Sequence, residues 1–147
     1  MKFRAVSSFF TAAAVAFSMV AAPVAAQDDP EFVLELNNAA ETSAGGCRLT
    51  YVATNRTGVD LSQAAYEVAV FNGSGIVSRI LVLAFGELPN GKTRIVQFDI
   101  SDQPCADTSR IVVNDVAECT LAEDGATGDF CLSTLSTASR ASLQFGL

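Results

Sequence analysis

The sequence predicts a single all-β domain, an antiparallel β-sandwich of about seven short strands. Apolar and polar residues alternate with a period of two along most of the chain after residue 30, and helical periodicity is weak. The alternating runs have the length of strands, and turns rich in glycine and asparagine separate them. Two stacked sheets are the simplest way for such strands to bury their apolar sides.

Each predicted strand has one apolar face and one wettable face. In chain order, the apolar positions are Phe32, Leu34 and Leu36; Leu49, Tyr51 and Ala53; Tyr66, Val68 and Val70; Val96, Phe98 and Ile100; Ala141, Leu143, Phe145 and Leu147. The segment Ile76–Phe85 differs, because it is apolar on both faces apart from Ser78 and Arg79. We expect this segment to cross the core or to switch between the sheets. A short helix is expected around residues 132–139.

Turn residues separate the predicted strands. Asn72-Gly73-Ser74-Gly75 is typical of a tight hairpin, and Pro89-Asn90-Gly91 has the same character before Lys92. Thr57-Gly58-Val59-Asp60 closes the strand that ends at Thr54. Glycine suits such turns because it adopts a positive φ at no steric cost.

Residues 1–26 have the pattern of a cleaved secretory signal peptide. Lys2 and Arg4 form a basic head, an apolar run follows from Phe9 to Ala22, and small residues precede Gln27. The alanine-rich composition of this segment is typical of bacteria. The mature protein is therefore expected to be one domain, residues 27–147, in the periplasm or outside the cell.

Removal of the signal leaves seven basic and sixteen acidic residues, a net charge of −9. Such an acidic domain repels nucleic acid and anionic lipid, so neither is expected as a partner. No apolar run after the signal approaches the roughly 18 residues of a membrane-spanning helix. The mature chain is expected to be soluble, without a membrane span.

Two stretches of the chain resemble the bacterial FxLYD-type immunoglobulin-like modules. They are Val52-Ala53-Thr54-Asn55-Arg56-Thr57-Gly58, and then Tyr66-Glu67-Val68-Ala69-Val70-Phe71-Asn72 with Gly75. In those modules an asparagine ends one strand, and an alternating strand closes on an aromatic residue, an Asp or Asn and a glycine turn. Asn72 stands where that pattern favours aspartate, and the cysteines have no counterpart in it. The whole is also similar to small uncharacterised extracytoplasmic proteins of alphaproteobacteria. The resemblance implies an immunoglobulin-like sandwich, and it supplies no catalytic residue.

The four cysteines, Cys47, Cys105, Cys119 and Cys131, are expected to form two disulfides, for which three connectivities are possible. If the strand that Cys47 opens pairs antiparallel with the strand that precedes Cys105, the two cysteines lie side by side. That topology favours Cys47–Cys105 and leaves Cys119–Cys131. Loop entropy assigns them about 4 and about 3 kcal/mol. The spacing contains no Cys-x-x-Cys and suits neither a redox motif nor a zinc site.

Residue content argues against catalysis. The chain has no histidine, which excludes histidine-based triads and histidine metal sites. Lys92 is the one lysine after the signal, and it follows a turn. Carboxylates such as Glu67 and Glu87 are the remaining catalytic resource, but a small sandwich offers little cleft between them. We expect no enzyme, no cofactor and no metal.

Two polar loops are the candidate partner-binding sites, ahead of the strand faces. The 101–110 loop contributes Asp102, Asp107 and Arg110, of which the last two could form an ion pair. The 119–131 loop contributes Glu123, Asp124 and Asp129.

The segment 123–129 also suggests an alternative function, a carrier of calcium or of a small ligand. Alanine stands at position 126, where a hand-type loop needs a ligand, and no glutamate follows. A solvated acidic turn is therefore the simpler interpretation.

The composition and patterning together predict an exported, non-catalytic module that binds a protein of the cell envelope or has a structural role there. Recognition would use loops or an unpaired edge strand. A carrier is the first alternative, and a hydrolase built on carboxylates is the second.

Overall fold

The structure, a computed structural model, describes Asp29 and residues 31–147. The predicted signal peptide lies outside these residues. Eight strands occur in the described part of the chain: β1 Glu31–Glu41, β2 Cys47–Arg56, β3 Leu61–Asn72, β4 Val77–Leu88, β5 Thr93–Ile100, β6 Thr108–Leu121, β7 Leu135–Ser139 and β8 Gln144–Gly146. A 3-10 turn, Cys105–Asp107, precedes β6, and a short helix, α1 Phe130–Ser133, precedes β7.

The strands form two four-stranded sheets, which confirms the predicted sandwich. Sheet A has the order β5-β2-β1-β7, and sheet B has the order β4-β3-β6-β8. Most neighbouring strands are antiparallel, as predicted. The two exceptions are β1 with β7 and β6 with β8, which are parallel. Strands β7 and β8 are consecutive, so the chain closes one side of both sheets in a single passage.

Two local predictions are wrong. The segment Ile76–Phe85 neither crosses the core nor changes sheet, because it lies in β4, the edge strand of sheet B. The helix expected over 132–139 covers Phe130–Ser133 instead, and residues 135–139 form β7. That stretch is short and polar, and its extended conformation follows from parallel pairing with β1.

The core lies between the sheets and is built around aromatic rings. Tyr51 and Tyr66 are fully buried, and the Tyr51 ring lies 6.0 Å from that of Phe85 and 5.1 Å from that of Phe145, edge to face in both cases. The Tyr66 hydroxyl donates a 2.9 Å hydrogen bond to the Cys131 carbonyl. The Tyr51 hydroxyl has no partner among the described residues. Burial raises the pKa of both phenols well above the usual range.

Both disulfides join the predicted partners. Cys47 opens β2 and pairs with Ile100, the last residue of β5, so Cys105 in the following turn comes within 4.7 Å between Cα atoms. This bond connects sheet A to the turn that begins β6 of sheet B. Cys119 near the end of β6 is bonded to Cys131 in α1. Each disulfide therefore fixes one end of β6.

A buried asparagine joins the sheets at the opposite end from Cys47. Asn55 of β2 is fully buried, and its Nδ2 donates 2.8 Å hydrogen bonds to the carbonyls of Val59 and of Leu88, the last residue of β4. Its Oδ1 accepts from both the backbone N–H and the hydroxyl of Thr57. All four hydrogen-bonding positions of the amide are thus occupied.

Candidate interaction surface

The two loops predicted to bind a partner lie at opposite ends of the molecule. Loop 101–107 leads into β6 and loop 122–129 follows it. Strand β6 has 14 residues. At about 3.3 Å per residue its ends are about 45 Å apart. The predicted acidic residues therefore divide into two separate groups and cannot form one site.

The 101–110 loop is braced by contacts other than the expected ion pair. The Gln103 amide donates to the Thr108 hydroxyl at 3.0 Å, and that hydroxyl donates to the Pro104 carbonyl. Asp102 and Asp107 lie with Gln103 and Pro104 around a shallow cleft beside the 72–74 turn.

Arg110 does not pair with Asp107, which corrects the expected ion pair. Its guanidinium lies 4.0 Å from the centroid of the Phe71 ring. The reason is the register, because Phe71 and Arg110 are directly opposite each other on β3 and β6. Both side chains follow the outer surface of sheet B, away from the loop.

The acidic 123–129 segment uses one of its carboxylates within the turn. The Asp124 Oδ1 accepts a 2.9 Å hydrogen bond from the Ala126 N–H. Glu123 lies beside Asp60 and Asn90 at this end of the sandwich, and Asp129 lines a different cleft, beside Cys119. Within the described residues, no group of three or more His, Cys, Asp or Glu side chains is placed to hold a metal ion.

The outer face of sheet A is polar, and ion pairs cross it between neighbouring strands. Arg48 binds Asp99 through two 2.7 Å hydrogen bonds, and Arg140 reaches Glu35 at 2.9 Å. Hydrogen bonding to Arg48 lowers the pKa of Asp99. Hydrogen bonds from Asn37, and then from Arg140, lower the pKa of Glu35.

One large apolar side chain stands out on this polar face. Ile95 of β5 is 68% exposed, and along its strand it is flanked by the exposed residues Thr93 and Gln97. A single exposed isoleucine of this kind is ordinary on a soluble protein. Sheet A therefore presents a solvated surface.

The outer face of sheet B has a different pattern, which the strand register defines as four rows. Residues opposite each other on antiparallel strands share a side of the sheet. From the beginning of β6 to its end, the rows across β4, β3 and β6 are Val77–Phe71–Arg110, Ile80–Ala69–Val112, Val82–Glu67–Asp115 and Ala84–Ala65–Glu118. We call these twelve residues the sheet-B face.

The β4 side of the sheet-B face is apolar and open to solvent. Ile80 is 56% exposed and Val82 is 57% exposed, and Val77 and Ala84 are also exposed. The β6 side carries Arg110 in the first row and Asp115 and Glu118 in the last two rows. An apolar group beside a charged margin is the usual composition of a protein-binding surface.

Sequence reasoning missed Ile80 and Val82, although the signal was present. The segment Ile76–Phe85 has apolar residues on both faces, and we interpreted this as burial on both sides. In the structure only alternate residues, such as Leu83 and Phe85, enter the core. The remaining apolar side chains of this segment form the exposed side of an edge strand.

The edges of β4 and β5 are adjacent, and two arginines occupy the junction. Arg94 of β5 donates a 3.1 Å hydrogen bond to the Glu87 carbonyl of β4. Arg79 of β4 donates a 2.8 Å hydrogen bond to the Ser101 carbonyl, just beyond β5. Both ends of the β4 edge are therefore obstructed against an added strand. The face of sheet B is more accessible than its edge.

No protein-family model, curated protein or solved structure matches the chain. In the described part of the chain, no helix has the length and apolarity that crossing a bilayer requires. The fold and the surface thus define the class of the molecule, a disulfide-bonded β-sandwich domain with one outer face that is apolar along β4 and charged along β6.

Proposed function

We propose that the chain is an exported, non-catalytic β-sandwich module that acts in the cell envelope by binding protein through the sheet-B face. The observation that carries this proposal is the exposure of Ile80 and Val82 beside a charged margin. The desolvation of two such side chains would contribute favourably to association, at about 25 cal/mol per Å² of apolar area buried.

The proposed location, the periplasm or the outside of the cell, has two supports. The first is the signal-peptide pattern of residues 1–26. The second is the pair of disulfides, which are typical of proteins in oxidising compartments.

A non-catalytic role is supported by the residue content. The chain has no histidine, and Glu67, one of its candidate acids, accepts a 2.6 Å hydrogen bond from Asn114 on the open sheet-B face. We also retain the FxLYD-type family as a proposal. The buried Asn55 supports it, because its four hydrogen bonds explain why an asparagine stands at the end of this strand.

Site-specific photo-crosslinking tests the proposed function. A photoreactive residue at Val82 should form a protein adduct in cells that naturally export the chain, and one at Ile95 on sheet A should not. Ile80→Glu in the Val82-labelled chain should abolish that adduct, because the added charge would need to be desolvated at the contact. Absence of an adduct from Val82, or equal adducts from Val82 and Ile95, would overturn the proposal.

A further inference from the structure

We propose that the partner on the sheet-B face is a second copy of this chain, related by a two-fold axis that lies between the faces and runs across the strands. This inference rests on the proposed function and names its partner. It depends on the order of side chains along the face, which differs at the two ends of the strands.

The two ends of the sheet-B face are complementary in size and charge. The first row, Val77–Phe71–Arg110, is bulky and ends in a cation. The last row, Ala84–Ala65–Glu118, is small and ends in an anion. A two-fold axis across the strands places the first row of each copy against the last row of the other.

In this arrangement the charges pair and the exposed Val77 lies opposite a smaller exposed side chain. Arg110 of one copy faces Glu118 of the other, and Val77 faces Ala84; Phe71 faces the position of Ala65, whose own side chain is buried. In the middle rows, Ile80 faces Val82, so the most exposed apolar side chains of the face cover each other. A two-fold axis repeats each contact, so the dimer contains two Arg110–Glu118 pairs.

The other in-plane axis, parallel to the strands, does not give these matches. It would place β6 of one copy against β4 of the other, with the row order unchanged. Asp115 would then face Val82, and Glu118 would face Ala84. The axis along the strands would also set Glu67 against Glu67 and would pair no opposite charges. The axis across the strands places Asp115 against Val112 and Glu67 against Ala69, but it alone forms the two Arg110–Glu118 pairs, and these select it.

The size of the face predicts a weak dimer. Three strands about 4.8 Å apart and four rows about 6.6 Å apart make a footprint of about 400 Å². A standard stable interface buries about 800 Å² on each partner. We therefore expect a dissociation constant of roughly 10 to 100 micromolar, weaker than that of a standard interface. The net charge of −9 does not prevent contact, because charges beyond about 8 Å are screened at physiological ionic strength.

Sedimentation equilibrium of the purified residues 27–147 tests the inference, with charge reversal as the decisive comparison. Arg110→Glu and Glu118→Arg, each alone, should weaken the dimer at least about tenfold by opposing like charges. The double variant should return the dissociation constant to within about threefold of the wild type, because the reversed pair attracts again. Ile95→Glu on sheet A is the matched control and should leave the constant unchanged.

Circular dichroism melting of each variant separates loss of association from loss of folding. Val82→Glu provides a second route to the same answer, because it places a charge at the centre of the face without touching the Arg110–Phe71 contact. It should also produce a monomer.

Three results would overturn the inference. They are a wild type that remains monomeric at about 1 mM, well above the expected dissociation constant; a dimer that persists in both single charge reversals; and a dimer that Ile95→Glu dissociates. If Val82 crosslinks to a different protein while the purified chain is monomeric, the proposed function holds and the self-association fails.

Discussion

The outer faces of the two sheets show how differently one alternating pattern can be used. On sheet A the outward side chains satisfy one another through pairs such as Arg48–Asp99 and Glu35–Arg140. On sheet B the outward side chains of β4 are aliphatic and have no covering element in the described chain. Exposed ion pairs contribute little to stability. The exposed aliphatic side chains of β4 also contribute little, because folding does not remove them from water. The difference between the faces therefore does not concern the stability of the monomer. Sheet A is suited to contact with water, and sheet B is suited to contact with another protein.

The largest expected effect on stability comes from Asn55, whose hydrogen bonds connect the two sheets. Asn55→Asp removes two donated hydrogen bonds, leaves the carbonyls of Val59 and Leu88 unpaired, and buries a charge. We expect a loss of about 4 kcal/mol in the free energy of unfolding. Urea unfolding at pH 7 measures it. Asn90→Asp is the control, because Asn90 is exposed and its Oδ1 accepts from Gly58. A loss as large in the control would contradict this explanation.

The two disulfides lie at opposite ends of β6, and we expect them to contribute unequally to stability. Replacing Cys47 and Cys105 by alanine opens a loop of 58 residues, and replacing Cys119 and Cys131 opens one of 12. Loop entropy predicts losses of about 4 and about 3 kcal/mol. Denaturant unfolding checks that order, and a larger loss from the shorter loop would reverse it. The second variant should also weaken the proposed dimer more, because Glu118 precedes Cys119.

Replacing Ile80 and Val82 with threonine sharpens the contrast between stability and association. These side chains are largely in water in the monomer, and threonine keeps their preference for strands. We expect the free energy of unfolding of the dilute protein to change by less than about 0.5 kcal/mol. The increase of Tm with protein concentration, a consequence of self-association, should disappear. A large loss of stability at low concentration would mean that these side chains support the fold.

The smallest effect concerns the ion pairs of sheet A and depends on pH. Because the pKa of Asp99 is lowered in the folded state by Arg48, the pair stabilises the fold above the unfolded pKa of about 4. This contribution is lost as the pH falls through the lowered folded pKa. Asp99→Asn should make the fall in Tm between pH 5 and about 3 less steep. An unchanged pH profile would show that the pair contributes nothing measurable.

Much of the architecture was predictable because alternation and turn chemistry are local signals. The faces of β1, β2 and β3 and the hairpin at Asn72 follow from them, whereas the pairing of Cys47 with Cys105 also needed an assumed sandwich topology. Asn72 illustrates this well, since its Oδ1 accepts from the backbone of both Ser74 and Ile76. Local patterns could not predict the strand state of residues 135–139, which depends on pairing with a distant strand.

The candidate surface was harder to predict than the fold. A run that is apolar on both sides is compatible with full burial or with an exposed edge strand, and the sequence does not report which neighbours cover it. The register that places Arg110 over Phe71 is likewise set by β3 and β6 together. The loops were predicted to bind a partner because they are polar. In the structure several of their polar groups form hydrogen bonds within the loops themselves.

The passage of β7 and β8 across both sheets has a consequence for the order of events in folding. The second edge of β1 pairs with residues 135–139, which are synthesised long after it. If the chain is exported as proposed, with its N-terminus first, β1 and β2 can associate early, while the second edge of β1 still lacks β7. Folding would then be completed only after translocation. Any chaperone that protects the chain in transit should recognise the edge of β1 that has not yet paired with β7.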